Sequence, residues 1–452
     1  MSRLSWVQSP DLLTHELVAS AHEGKPIEDV LGRWQAAGGQ VDAPVAGLAQ
    51  EGDEDLRRLA EELLDELESR PVAPDIAAAE PDDLDAIEAV SPGAAGGSAA
   101  APTSDLADRV LGAWSGRAAG CLLGKPVEKI PRKGIHEILT SQGRWPLDDW
   151  FTEIGLSAEI AQRWPWNRRS RPTSLAENIA GMPEDDDLNF PMLGLALLEQ
   201  HGRDFTTADV ADLWLANLPG GRVFTAERVA YRNLLLGDSA PRTATRRNPY
   251  REWIGALIRA DVYGWACPGD PVAAARLAWT DARLSHVRNG VYGAMSAAAM
   301  CSQALVATDI EEVLAAGLAV VPPQSRYADT LAFGADVGRS GDPLDVALDR
   351  LYERYGHLHW VHVLNNAAIT SYALASSKGD FADAICTAVM GGWDTDSVGA
   401  TVGSITGALA GAAALPQRWI APMRNRVASS MPGFDGIGFD ELARRTLAVI
   451  AR

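Results

Sequence analysis

The chain runs to 452 residues, 47% hydrophobic and 22% charged, with a formal net charge of −20. That length buries a large core and leaves room for an extension, and the charge excludes duplex DNA or another polyanion as the main ligand. The four cysteines (Cys121, Cys267, Cys301, Cys386) form no Cys-x-x-Cys pair, which excludes a zinc ribbon or a disulfide framework and suits a cytoplasmic protein.

Residues 1–36 read as helical, with Leu12, Leu13, Leu17 and Val18 on one face, and the start shows no basic-then-apolar signal pattern. Residues 54–68 read as an acidic helix, with Leu56, Leu59, Leu63, Leu64 and Leu67 at steps of three and four. Residues 51–90 hold 15 acidic and 3 basic residues. Much of the net charge is therefore local, and a phosphate-bearing small ligand stays compatible with the remainder. The stretch 71–104 is made of Pro, Ala, Gly, Ser and acids and reads as a flexible linker. The plan is an accessory helical region over 1–70, a linker over 71–104 and a main domain over 105–452.

In the main domain, helical periodicity recurs over 105–123, 189–200, 270–284, 289–307, 344–355, 365–376 and 380–390. No alternating β-branched run implies a sheet. The class is all-α: an orthogonal multi-helix bundle around a central small-residue helix, with an N-terminal helical extension. The central helix is read at 398–415, with glycines at 399, 403, 407 and 411. A four-residue step places them along one slowly drifting face, suited to close approach of another helix. This stretch has the length of a membrane span. Its Gly/Ala content, with Thr401, Ser404 and Thr406, argues against one.

Just before it stand Gly391-Gly392-Trp393-Asp394-Thr395-Asp396-Ser397. Asp and Ser are good helix caps, and the glycine pair lets backbone turn tightly beside a ligand. Glu184-Asp185-Asp186-Asp187 opens a second apolar helix. It reads either as a solvated acidic cap or as half of a cation site, because crowded like charges raise one another's pKa unless a cation is present. Hard oxygen donors suit magnesium, calcium or manganese rather than zinc. Glu128, in a glycine-bounded turn, and His286, closing Ser285-His286, are each compatible with a purely structural role. Arg168, Arg169 and Arg171 beside Trp164 and Trp166, and the group Arg242, Arg246, Arg247 and Arg251, suit either a diphosphate or pairing with the chain's acids.

Taken in order, these pieces resemble the ADP-ribosylglycohydrolase family, which includes the dinitrogenase reductase-activating glycohydrolases. The resemblance runs from about Arg109 to Trp419. It begins at Arg109-Val110-Leu111-Gly112-Ala113-Trp114 and passes through Gly120 to Glu128. The acidic cluster, the 255–259 segment and Ser285-His286 follow, and it ends at Asp394-Thr395-Asp396-Ser397 with the small-residue helix. It implies an all-helical fold with two divalent cations, magnesium first and manganese or calcium as alternatives, between the two acidic motifs. Asp394, Asp396 and Ser397 match the second motif. Asp185, Asp186 and Asp187 match the first, usually Thr-Asp-Asp-Thr, in this frame or one starting at Glu184. Glu128 matches the glutamate linked to catalysis, with the 185–187 carboxylates, Asp187 in particular, as the other proton carrier. Gly221, Arg222 and Phe224 fall in the loop resembling the phosphate loop, and Gly255 and His286 match substrate-pocket positions. Ile254 and Cys121 depart from the Asn and Asp found in many members.

The activity implied is metal-dependent hydrolysis at the anomeric carbon of ADP-ribose attached to a protein or small molecule. The alternatives are a nucleoside or nucleotide N-glycoside hydrolase and a non-catalytic ADP-ribose- or metal-binding protein. The partner is an ADP-ribosylated protein or ADP-ribose-type small molecule, with no nucleic acid and no membrane.

Overall fold

The computed structural model describes residues 4–42, 54–95 and 104–452. Among them are 24 α-helices, short 3-10 turns, three isolated β-bridges and no strand. The all-α expectation holds.

The centre is an antiparallel pair, Leu106–Gly124 against Thr395–Ala410. Gly112 meets the carbonyl of Gly407, Gly116 that of Gly403, Gly120 that of Gly399, and Gly124 that of Thr395. A β-carbon at any of the four would overlap the facing oxygen, so the two backbones touch directly. Glycine costs a helix ~1 kcal/mol relative to alanine. Dispersion and Cα–H···O contacts between the apposed backbones offset that loss. Residues 395–408 are all buried. The helix starts three residues before the expected 398 and stops at Ala410 rather than 415, because Gly411 turns left-handed at φ 78°. Residues 412–414 form a 3-10 turn instead. No helix among the described residues is long and apolar enough to cross a membrane.

Other helices wrap this pair. Phe439–Ile450 packs on Leu106–Gly124, Trp114 Nε1 donating to Thr446 Oγ1 at 3.0 Å. Arg326–Arg339 packs on Val363–Ser376, with Gly334 and Gly338 against its backbone.

The N-terminal region forms Ser9–His22, Glu28–Ala36 and Glu54–Ser69. Leu12, Leu13 and Leu17 are buried as expected, whereas Val18 is 53% exposed. Its acids reach arginines of the main domain. Arg251 binds Glu16 and Glu23, each at 2.7 Å, and Arg288 also binds Glu23. Arg247 binds Asp65 at 2.7 Å. The arginine group 242–251 is thus largely occupied by pairing.

The stretch read as a linker carries structure. Pro74–Ala79 and Leu84–Val90 are helices, the second capped by Asp83. Ile87 is fully buried, and buried Glu80 binds Arg326 at 2.7 Å and Asn289 at 2.8 Å. A Pro/Ala/Asp composition resembles open chain, but these tertiary contacts override it. The remainder of that stretch, 96–103, lies outside the described residues.

Candidate functional site

Gly392 (φ 76°) and Trp393 (φ 58°) both adopt left-handed backbone, which costs a bulky residue such as Trp393 roughly 1–2 kcal/mol. Trp393 is held there by stacking on Tyr352 at 4.3 Å, while the Tyr352 hydroxyl donates to the Gly391 carbonyl at 2.9 Å. The turn delivers Asp394 to the N-cap of the central helix. A capping aspartate accepts backbone N–H bonds, yet the Asp394 side chain accepts none. Its backbone N–H donates to Asn366 Oδ1 at 3.2 Å. Asp396 and Ser397 follow within the first turn, and all three are buried at 6% exposure, too little for solvated caps. Thr395 Oγ1 donates to the Gly124 carbonyl at 2.9 Å, tying this start to the end of the facing helix.

The second acidic start, Asp186–His201, is capped by Asp185, which accepts the Asp187 N–H at 2.9 Å. The other Asp185 oxygen binds Lys125 Nζ. Burial works to raise the Asp185 carboxyl, but Lys125 and the two hydrogen bonds hold it below the ordinary range. Arg117, fully buried, binds the Asp187 carbonyl at 2.6 Å and Asp261 at 2.5 Å, with Asp187 Oδ1 at 3.5 Å. Asp187 Oδ1 is buried with no hydrogen-bond partner. Cys121 Sγ lies 3.7 Å from Asp187 Oδ2. Cys121, Asp185 and Asp187 bring ligand atoms within 4.8 Å of one another, the one such grouping among the described residues. Burial, then Asp185 and Asp187, push the Cys121 thiol up, so it stays protonated.

The two starts share one electrostatic environment. Burial, then Asp185 and Asp396, push Asp186 well up, and burial, then Asp185, does the same to Asp187. Burial, then Asp396 and Glu128, push Asp394 up. Asp396 is raised to about 7 by burial, then by Glu128 and Asp185. Lys125 and Arg117 compensate Asp185 and Asp187, leaving Asp186, Asp394 and Asp396 without a cation of their own. Their carboxylates are hard oxygen donors of the kind magnesium-type cations take, while the ligand atoms gathered within 4.8 Å among the described residues are those of Cys121, Asp185 and Asp187. The protonated thiol does not favour a soft metal.

Glu128 accepts from Asn167 Nδ2 at 2.6 Å and pairs with Lys129 at 3.1 Å. The loop of Gly221, Arg222 and Phe224 sits at the acidic cluster, Arg222 binding Glu184 at 2.9 Å. A β-carbon on Gly221 would meet nothing within 4 Å, so that face of the loop is open. Phe224 packs edge-on against Trp6 of the extension at 5.5 Å. Gly255 and His286 are brought together around buried Glu227. A β-carbon on Gly255 would strike the Glu227 carboxylate, and His286 Nε2 lies 3.9 Å from it. His286 is 1% exposed, Nδ1 sharing a hydrogen bond with Ser285 at 2.8 Å.

Lys125, Asn167 and Asn366 are partners that sequence reasoning did not single out. Lys125 had a signal: a cation three residues before Glu128 in the same turn. The two asparagines act from loop and helix positions with no periodicity to mark them.

An all-α protein with a carboxylate-centred site between two facing helix starts is the class that fold and geometry define. The chain belongs to the ADP-ribosylglycohydrolase family, whose model matches residues 102–451. Family membership assigns it to glycohydrolase chemistry on ADP-ribose. Among solved structures, an "ADP-ribosylglycohydrolase-related protein complex" is 22% identical at a TM-score of 0.47, over 77% of this chain and 99% of that one. No curated protein matches the chain. The helices before residue 102 lie outside the family match.

Proposed function

We propose that the protein is a divalent-metal-dependent hydrolase that cleaves the bond at the anomeric carbon of ADP-ribose attached to a protein or small molecule. The observation that carries this is Asp394, a buried carboxylate at a helix start whose side chain does not cap. Asp186, Asp394 and Asp396 would hold the ions, with Asp187 and Ser397 completing the set and Asp185 turned toward Lys125. When bound, such ions orient ribose hydroxyls and lower the pKa of a coordinated water.

The chain's own groups supply the rest. Departure of the group on the anomeric carbon develops oxocarbenium-like positive charge, which a carboxylate cluster favours. Two residues are candidates to move the proton, Glu128 and Asp187. The Glu128 side chain is 19% exposed, whereas that of Asp187 is 2% exposed and faces Arg117. The difference in access supports Glu128, through a carboxylate oxygen, as the group that moves the proton, with Asn167 bonded to it at 2.6 Å. Arg222, 54% exposed beside the open face of Gly221, is placed to meet a diphosphate.

The test is release of free ADP-ribose from arginine-linked and serine-linked ADP-ribosylated proteins and from O-acetyl-ADP-ribose. The expected result is turnover of at least one linkage, abolished by EDTA, restored by magnesium and lost in Asp396→Asn. No turnover of any of the three sinks the assignment.

A further inference from the structure

The loop turn Gly220–Arg222 is held from opposite sides. On one, Arg222 binds Glu184, at the head of the acidic start, at 2.9 Å. On the other, Arg228 Nη2 donates to the Gly221 carbonyl at 3.3 Å. Arg228 belongs to the helix Thr225–Leu235, which the loop leads into. It is 8% exposed, its Nε is buried with no hydrogen-bond partner, and no carboxylate pairs with it among the described residues. A buried charge in that state is costly, and burial, then the like charge of Arg169, lowers its pKa.

What offsets the cost comes in large part from the extension. Arg228 Nη1 donates to the Ser5 carbonyl at 3.3 Å. The guanidinium lies 4.9 Å from the Trp6 ring centre and 5.6 Å from that of Phe224. Those rings stand edge-on to each other at 5.5 Å, and an aromatic face attracts a desolvated cation more strongly than a solvated one. Ser5 and Trp6 lead into the Ser9–His22 helix, which Arg251 anchors through Glu16 and Glu23, so the clasp has a fixed end. Both sides of the contact hold left-handed backbone, Trp6 at φ 63° and Thr225 at φ 38°. A bulky or β-branched residue keeps that conformation only where its surroundings fix it. Ser5 and Trp6 precede the family-matched residues, so the clasp lies outside what the match covers.

We propose that Trp6 is a positioning residue of the substrate site: with the Ser5 carbonyl it fixes Arg228, and through Arg228 the Gly221–Arg222 loop, in the conformation that receives the substrate's diphosphate. This rests on reading the site as one for ADP-ribose. The extension then sets substrate affinity and leaves bond cleavage to the carboxylates, since what Trp6 holds is the loop rather than Glu128.

The test compares Trp6→Ala and Trp6→Phe with wild type, each as the full chain. Calorimetric titration with ADP-ribose in magnesium reads affinity. Trypsin cleavage after Arg222, which is exposed in the loop, reads loop order with no ligand present. Trp6→Ala removes an aromatic face and loosens the hydrogen bond beside it, which should weaken ADP-ribose binding about tenfold and speed the cleavage. Trp6→Phe keeps a face and should stay close to wild type in both. On any linkage that is turned over, Trp6→Ala should raise KM about tenfold and leave kcat unchanged. Should Trp6→Ala fail to fold, Trp6→Leu, which keeps apolar bulk without the face, takes its place. The proposal is overturned by unchanged cleavage after Arg222 or by a fall in kcat at unchanged KM. Wild-type ADP-ribose binding that Trp6→Ala leaves intact overturns this inference alone. A wild type that neither binds ADP-ribose nor turns over any linkage overturns the reading of the site, and this inference with it.

Discussion

Replacing the four glycines of Leu106–Gly124 one at a time with alanine separates stability from positioning. Each added β-carbon would overlap a backbone carbonyl, at Gly407, Gly403, Gly399 and Thr395 in turn. The obstacle is backbone, so no rotamer relieves it. The helices must part by roughly 1 Å to restore an ordinary carbon–oxygen contact. Overpacking of this kind costs ~1–3 kcal/mol, against a helix-propensity gain of ~1 kcal/mol. With backbone on both sides the cost falls in the upper half of its range, leaving a net loss of roughly 1–2 kcal/mol per site. The catalytic effect should instead follow position. Gly124 faces Thr395 beside Asp394 and Asp396, and four residues after it comes Glu128, whereas Gly112 lies about three turns away. A shift near 1 Å in a reacting group costs up to ~100-fold in turnover. Denaturant unfolding and ADP-ribose release measure the two quantities. The expectation is comparable destabilisation in Gly112→Ala and Gly124→Ala, with the large turnover loss confined to Gly124→Ala. Equal turnover losses at both ends, or no loss of stability in Gly116→Ala, would refute the reasoning.

Asn167→Ala removes the hydrogen bond that orients Glu128 and should lower kcat by about tenfold with little change in KM; steady-state kinetics against wild type decides it. Arg251→Ala leaves Glu16 and Glu23 buried without that partner. It should cost ~3–5 kcal/mol and make the Ser9–His22 region sensitive to limited proteolysis; a protease-resistant variant contradicts the docking role of this pair. Burial lowers His15 and His362 from 6.5 to about 4 and about 3. Below pH 6.5 the unfolded chain takes up protons that the folded chain refuses, so stability falls as pH drops through that window. Down to about pH 5 each histidine accounts for up to ~2 kcal/mol, and His15→Phe should flatten the measured slope.

The glycine period at 399–411 is legible because it repeats at helical spacing, and so is the carboxylate-before-helix pattern at both acidic starts. The partner strip Gly112, Gly116, Gly120 and Gly124 has the same period, but neither strip reports which other strip it faces. Pairings across the chain leave no local trace. Arg251 finds Glu16 across 235 residues and Arg247 finds Asp65 across 182, so an arginine-rich run that could grip a diphosphate looks the same as one that docks an acidic extension. The helices at 74–79 and 84–90 were hidden for a related reason. Their own residues suit short helices, with Pro74 at a first helical position and Asp83 as a cap, but the Pro-, Gly- and acid-rich surroundings mask that signal, and the contact of Glu80 with Arg326 and Asn289 ties the segment to the main domain. In the site, Asp394 and Asp396 were legible, while Asn167 and Asn366 act through single long-range hydrogen bonds.

The positions where this chain departs from its relatives bear on substrate less than their chemistry first suggests. If the first acidic motif starts at Asp185, an acid stands where the resembled family usually has threonine, and that charge by itself would favour a larger or more weakly hydrated cation. That charge is bonded to Lys125, and its second oxygen accepts the Asp187 N–H. Lys125 offsets part of that charge, yet Asp185 outweighs it at both Asp186 and Asp396, raising each more than Lys125 lowers it. Cys121 is a protonated thiol directed at Asp187 rather than an added carboxylate. Ile254 is buried at 4%, and its N–H donates to the Val361 carbonyl at 3.0 Å. Its side chain is part of the buried core, and its backbone is what ties it to the segment that carries His359 and Trp360. Discrimination among substrates is therefore better sought at groups with solvent access, namely Glu128, Arg222 and the face of Gly221. It is also better sought at Trp6, which the extension lays against Phe224.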